Sequence, residues 1–264
     1  MAQPTQLAVQ LYTLRDFCKT AEDFAETCRR LREQGWGAVQ VSAVGVKEAS
    51  VIKQVLDEHG LVCCATHPPR GQDIWEDPQT LVDYQKTLDC ELTAIGGYFP
   101  KDEEFSESGW SRWLDRFAIG VRRCAEQGVK VGYHNHSHEW GKLGGKDDFQ
   151  SKRAIDLILE KLPSEAWFEL DVYWVAHAGG SPTAWLERLA GRLPVIHAKD
   201  LGITQGREPY MAEVGVGNLD WDGILAAANA AGVKWWCVEQ DVCYRNPFDS
   251  LETSLNNLKA MGVS

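Results

Sequence analysis

Four segments of this chain run apolar and then stop on side chains that ligate metals. They are VKVGYHNHSHE at 129–139, WFELD at 167–171, LPVIHAKD at 193–200 and WWCVEQD at 235–241. Asp171, His197 and Glu239 each stand at the same relative place, the far end of a segment that reads as a buried strand. Alone, each has an ordinary explanation: an aspartate capping the next helix, a core histidine, an exposed strand-end acid. Together they argue for a divalent-cation site, because such groups repel or stay unpaired at one point unless a cation joins them. Oxygen-rich ligation with one imidazole suits Mn²⁺, Mg²⁺ or Co²⁺, with Zn²⁺ as a further alternative.

The fourth ligand is Glu139 or His134, with Glu139 favoured; the other is left for proton transfer. His134, Glu239 and Glu139 are thus the catalytic candidates, acting as bases on a carbon-bound proton. His136 shares the side of the strand that carries His134, while Tyr133 and Asn135 take the other. Lys199 lies two residues after His197 and projects to the same side, either to steady a negatively charged oxygen or to pair with a barrel acid. His67, at the end of LVCCATH, and Trp174, just past Asp171, are the remaining substrate-binding candidates, Trp174 as an apolar platform. GVGNLDW at 215–221 follows no strand and lacks the lysine of a phosphate loop, so it reads as a flexible loop leading into a helix.

Positioning these residues requires a repeating scaffold. Apolar β segments fall near 7–11, 38–42, 61–66, 92–97, 129–135, 167–172, 194–198 and 235–239, and helical patterns separate them. Thr20 opens one helix, with Phe24, Cys28 and Leu31 on its apolar face, and Gly35 stops it. Ser181 followed by Pro182 opens another, Asp220 a third, and the last carries Phe248, Leu251, Leu255 and Leu258 on one stripe. Eight β-then-α units without a composition break predict one (β/α)8 barrel domain over 1–264. Segments 67–77 and 203–218 are longer than ordinary connections and belong on the catalytic face.

The net charge of −11, with no run of Lys or Arg, speaks against a nucleic-acid partner. No apolar run is long enough to span a bilayer, and the N-terminus lacks a signal-peptide pattern. The eight cysteines are irregularly spaced and form no CxxC pair, so they read as small core residues of a cytoplasmic protein.

VQLYTLRD at 9–16, GYHNHSHEW at 132–140, ELDVYWVAHAGGSP at 169–182, HAKDLG at 197–202, EVGVGNLDW at 213–221 and VEQD before NPFDSLETS resemble the xylose isomerase-like TIM-barrel superfamily, in its sugar phosphate isomerase/epimerase group. The resemblance covers nearly the whole chain. It implies one metal ion, often Mn²⁺, on Glu139 (or His134), Asp171, His197 and Glu239. It also implies an isomerase or epimerase acting on a sugar, keto-sugar or cyclitol through an enediolate. Self-association into a homo-oligomer is a separate expectation. Relatives with two opposed glutamates carry a Glu where this chain reads His134-Asn135-His136. That departure keeps open a dehydratase or lyase of the inosose dehydratase or 3-keto-glycoside type. Two rivals rank lower: an abasic-site endonuclease, which needs more ligands and a basic surface, and a sugar-binding protein without catalysis.

Overall fold

The structure is a computed structural model that describes residues 6–68 and 74–264. Eight parallel strands close into a barrel: β1 (Leu7–Gln10), β2 (Ala38–Val41), β3 (Val62–Thr66), β4 (Leu92–Ile95), β5 (Lys130–His134), β6 (Trp167–Asp171), β7 (Val195–Ala198) and β10 (Trp235–Val238). Between the last two, β8 (Asp200–Ile203) and β9 (Pro209–Ala212) pair antiparallel as a separate hairpin. Every predicted strand is present. Barrel strands are covered on both faces, which is why they read as apolar runs rather than alternating ones.

Helices α1 (Ala21–Gln34), α2 (Ala49–Glu58), α3 (Pro78–Thr87), α4 (Glu107–Ala125), α5 (Ala154–Lys161), α6 (Val172–His177), α7 (Pro182–Arg188), α8 (Trp221–Ala231) and α9 (Pro247–Ala260) lie between and after the strands. Their ends follow the local chemistry of the sequence. Thr20 and Asp23 form a reciprocal capping box on α1, and Gly35 ends it with φ 95°. Ser181 caps α7 ahead of Pro182, and Asp220 caps α8. On α9, Phe248, Leu251, Leu255 and Leu258 are all buried.

Inside the barrel the side chains form tiers with a period of two. The lowest tier is a separate apolar cluster of mostly small residues, including Ala8, Ala38, Cys64, Ala94, Val195 and Cys237, filled out by Trp167. One strand position pair higher come Gln10, Gln40, His134, Glu169 and His197, all buried. Above them lie Asp171, Lys199 and Glu239. Register enforces this: His134 pairs with Glu169, and Asp171 with His197. The floor is therefore dry, and polar groups begin abruptly above it.

Trp167 fits inside because its neighbour on β5 is Gly132. A Cβ added there would come within 2.5 Å of the indole ring. The hairpin region is held by one buried acid. Asp200 accepts N–H groups from Gly215, Gly217 and Leu219 and the indole N–H of Trp221, so the glycine-rich loop is tied down rather than free. All eight cysteines are free thiols, seven of them buried, in keeping with their reading as core residues.

Gly132→Ala is expected to destabilise the barrel by about 1–3 kcal/mol, since the Trp167 ring has nowhere to move in a closed interior. Thermal melting should show it as a Tm lower by several degrees.

Candidate active site

The C-terminal ends of β5, β6, β7 and β10 bring His134, Asp171, His197 and Glu239 together, with one ligand atom of each within 4.8 Å of all the others. All four are buried. His197 Nδ1 lies 2.9 Å from Glu239 Oε2 and 3.8 Å from Asp171 Oδ2. Its Nε2 lies 2.8 Å from Gln40 Oε1, an acceptor, so Nε2 keeps its proton and Nδ1 is the nitrogen that can give its proton up to an ion. Asp171 Oδ2 is paired with Lys199 Nζ at 3.0 Å. Two buried carboxylates and two imidazoles whose ligand atoms converge in this way are a donor set that fits a divalent cation.

Glu139 is placed elsewhere. It is fully buried in a 3-10 turn over His138–Trp140. Its Oε1 accepts the Tyr133 hydroxyl at 2.8 Å, and its Oε2 accepts the backbone N–H of His136 at 2.9 Å. It belongs to a different group, with His136 and His138. Of the two open choices for the fourth position, the geometry brings His134 to the cluster and turns Glu139 back to anchor its own loop. Burial pushes the Glu139 carboxyl up to about 7.

Lys199 is not a free arm reaching toward solvent. It is fully buried, with Nζ 3.0 Å from Asp171, 2.8 Å from Glu239 and 2.6 Å from Asp241. Of its two sequence readings, this geometry matches pairing with barrel acids. Trp174 half covers it, with the ring centroid 5.6 Å from Nζ, and also packs on His136 at 5.6 Å.

The electrostatics follow from burial and proximity. Burial would lower the His197 pKa, but Glu169 and Glu239 outweigh it and raise it to about 10. Burial raises Asp171 to about 6 even against Lys199 and His197. Glu239 goes the other way: burial is overcome by Lys199 and His197, and it is held well below the ordinary carboxylate range. Burial, with His197 and His136 nearby, keeps His134 neutral. Burial and Lys199 lower His136 to about 3. A metal needs neutral imidazoles and ionised carboxylates, a form that His134 and Glu239 already have and that His197 reaches only by losing a proton.

Above the cluster opens a cavity of about 1090 Å³, whose lining includes His67, His134, His136, Glu239, Asp241 and Phe99. Phe99 is exposed at the rim and stacks on His138. The end of β4 presents only Gly96 and Gly97, each against a histidine ring, His67 and His136 respectively.

Sequence reading missed Glu169, Gln40 and Asp241. Glu169 is fully buried between His67 and Gln40, with His134 Nδ1 at 3.5 Å and His197 Nε2 at 3.3 Å. The signal was available: Glu169 precedes Asp171 by two on a fully buried strand, so both must face inward.

Residues 15–261 match the family described as xylose isomerase-like TIM barrel. The chain belongs to this family. Among curated relatives, the inosose dehydratase of Geobacillus thermodenitrificans is 26% identical over 169 residues, 57% of this chain, and the match spans only 54% of that protein. The rhizopine catabolism protein MocC of Rhizobium meliloti is 20% identical over 89% of this chain and 80% of its own length. Among solved structures, a sugar phosphate isomerase/epimerase from Parabacteroides distasonis superposes with a TM-score of 0.82 at 18% identity, covering 99% of this chain and 100% of that one. The Parabacteroides protein thus shares this barrel fold.

Two outcomes follow from the geometry. His134→Ala should weaken Mn²⁺ binding by more than about 100-fold, whereas Glu139→Ala should keep full metal content and lose about 2 kcal/mol of stability. Elemental analysis of both variants decides which residue is the ligand. Because the His197 pKa is raised to about 10, an ion at Nδ1 must displace a proton. Mn²⁺ affinity should then fall roughly tenfold per pH unit on going from pH 8 to 6, measured by titration calorimetry.

Proposed function

We propose that the protein is a divalent-metal-dependent enzyme that removes a proton from the carbon beside a carbonyl in a sugar, keto-sugar or cyclitol. The observation that carries this reading is the four-residue group His134, Asp171, His197 and Glu239 set at the base of a cavity large enough for a hexose-sized molecule. When bound, a divalent ion supplies Lewis-acid polarisation of the carbonyl, which acidifies the adjacent carbon. His134 is taken up as a ligand in this reading. The base is then His136, which lines the cavity and whose imidazole is kept neutral by burial. Glu239 is bound to His197 and Lys199, which leaves it a poorer proton acceptor.

Isomerisation, epimerisation and loss of water all begin with this step. One observation favours loss of water over epimerisation. An epimerase must take a proton from one face and return it to the other. Here the two cavity histidines outside the ligand group, His67 and His136, both stand beside the bare Gly96-Gly97 end of β4. The name of the Geobacillus relative, inosose dehydratase, points the same way.

The test is proton exchange in D₂O. Mn²⁺-loaded protein offered keto-sugars and keto-cyclitols should wash deuterium into one position beside the carbonyl, seen by NMR. Treatment with EDTA should abolish exchange and Mn²⁺ should restore it. Exchange that persists without metal, or that never occurs in metal-loaded protein, would refute the reading. An isomerised or epimerised product in place of an unsaturated one would select the isomerase outcome.

A further inference from the structure

We propose that His67, oriented by Glu169, is the acid that protonates the oxygen leaving the substrate. This rests on the proton-abstraction reading above and adds a second catalytic residue to it. His67 Nε2 lies 2.5 Å from Glu169 Oε2. The carboxylate is itself immobilised, because Gln40 Nε2 donates to Oε1 at 2.7 Å, and Gln40 Oε1 faces His197 Nε2 at 2.8 Å. Glu169 thus serves His67 and, through Gln40, the ligand His197.

With the Nε2 proton directed at Glu169, Nδ1 is the working nitrogen. Its nearest protein partners are Gln10 Nε2 at 3.4 Å and Ser42 Oγ at 3.5 Å, both at the limit of hydrogen bonding. A substrate oxygen would be a better partner than either. A buried carboxylate on the far nitrogen fixes the ring's orientation and balances the positive charge when Nδ1 carries a proton.

A purely structural role explains this less well. Filling the same space with apolar side chains would avoid placing a carboxylate in the barrel interior, which is costly unless it is paired. His67 is also not sealed in, since its side chain is 13% exposed and lines the cavity. The two cavity histidines differ in one respect that divides their work. His67 has a carboxylate on its ring, whereas His136 Nδ1 has no hydrogen-bond partner among the described residues.

The step balances as a β-elimination. His136 takes the proton from the carbon beside the carbonyl. The electron pair left on that carbon forms a carbon–carbon double bond as the neighbouring carbon–hydroxyl bond breaks. The hydroxyl takes the Nδ1 proton of His67 and departs as water. His136 then loses its proton to solvent and His67 regains one, so no oxidant or reductant is needed.

The experiment compares Mn²⁺-loaded wild type, His67→Asn and Glu169→Gln with 2-keto-inositol and 3-keto-glucose in D₂O. NMR follows exchange of the carbon-bound proton, and absorbance follows the unsaturated ketone. His67→Asn should retain exchange within about threefold while elimination falls by about 100-fold or more. Glu169→Gln should shift the same ratio in the same direction by about tenfold. Metal content should match wild type in His67→Asn, and Glu169→Gln is compared at saturating Mn²⁺ because Glu169 also supports His197. Should Glu169→Gln not fold, His67→Asn alone decides. Elimination that persists in His67→Asn, exchange and elimination that fall together, or a wild type that exchanges without eliminating would each overturn the assignment and leave the proton-abstraction reading standing. A metal-loaded wild type that neither exchanges nor eliminates would take down both.

Discussion

Burying Glu169, Asp171 and Glu239 on one barrel axis is the constraint on which the rest of this structure depends. Three carboxylates removed from water cost several kcal/mol each unless cations and donors surround them. His197 meets two of the acids at once, with Nδ1 on Glu239 and Nε2 near Glu169. Lys199 meets Asp171 and Glu239 from the other side. Gln40 and His67 complete the shell of Glu169. The partners come from β2, β7 and the end of β3, so the charges can be satisfied only when the barrel is closed. The same network that makes the site chemically capable therefore ties it to the intact fold.

The barrel meets that demand by separating its tiers. Small apolar residues and Trp167 fill the base, and Gly132 makes room for the indole. A dry base lowers the local dielectric beneath the polar tiers and strengthens every pairing above it. Strand alternation does the rest. Glu169 and Asp171 on β6, and His197 and Lys199 leaving β7, are spaced by two and so rise in step toward the cavity. The loop side is fixed by Asp200, whose four long-range N–H partners pull the chain from Gly215 to Trp221 against the start of the hairpin.

The eight strands and the helix ends were legible because hydrophobic runs and capping residues are local signals. Thr20, Ser181, Asp220 and Gly35 behave as their side chains dictate. The β8–β9 hairpin was not legible, since its two four-residue strands are half exposed and carry no strong periodicity. Segment 67–77 read as a long loop, and part of it, 69–73, lies outside the described residues. The Glu139 and His134 ambiguity has a geometric origin. Spacing along a strand predicts which way His134 points, but Glu139 sits past the strand, where a single 3-10 turn reverses its carboxylate toward Tyr133. Glu169 went unread for a different reason: beside Asp171 it looks like one more strand acid, and only the ring closure shows that Gln40 and His67 wait for it.

The position of Lys199 bears on how strongly a bound ion would act. Asp171 and Glu239 would share their negative charge between the ion and an ammonium that is already within 3.0 Å of both. Carboxylates so divided donate less charge to a metal, which then keeps more for a substrate oxygen. His134 works in the same sense, because a neutral imidazole in the fourth position adds no further negative charge. A glutamate there would have brought one. Under the proposed function, an imidazole rather than a carboxylate at the end of β5 would leave the proton chemistry to histidines on one wall and a bound ion more electrophilic, a combination suited to expelling a hydroxyl rather than inverting a carbon.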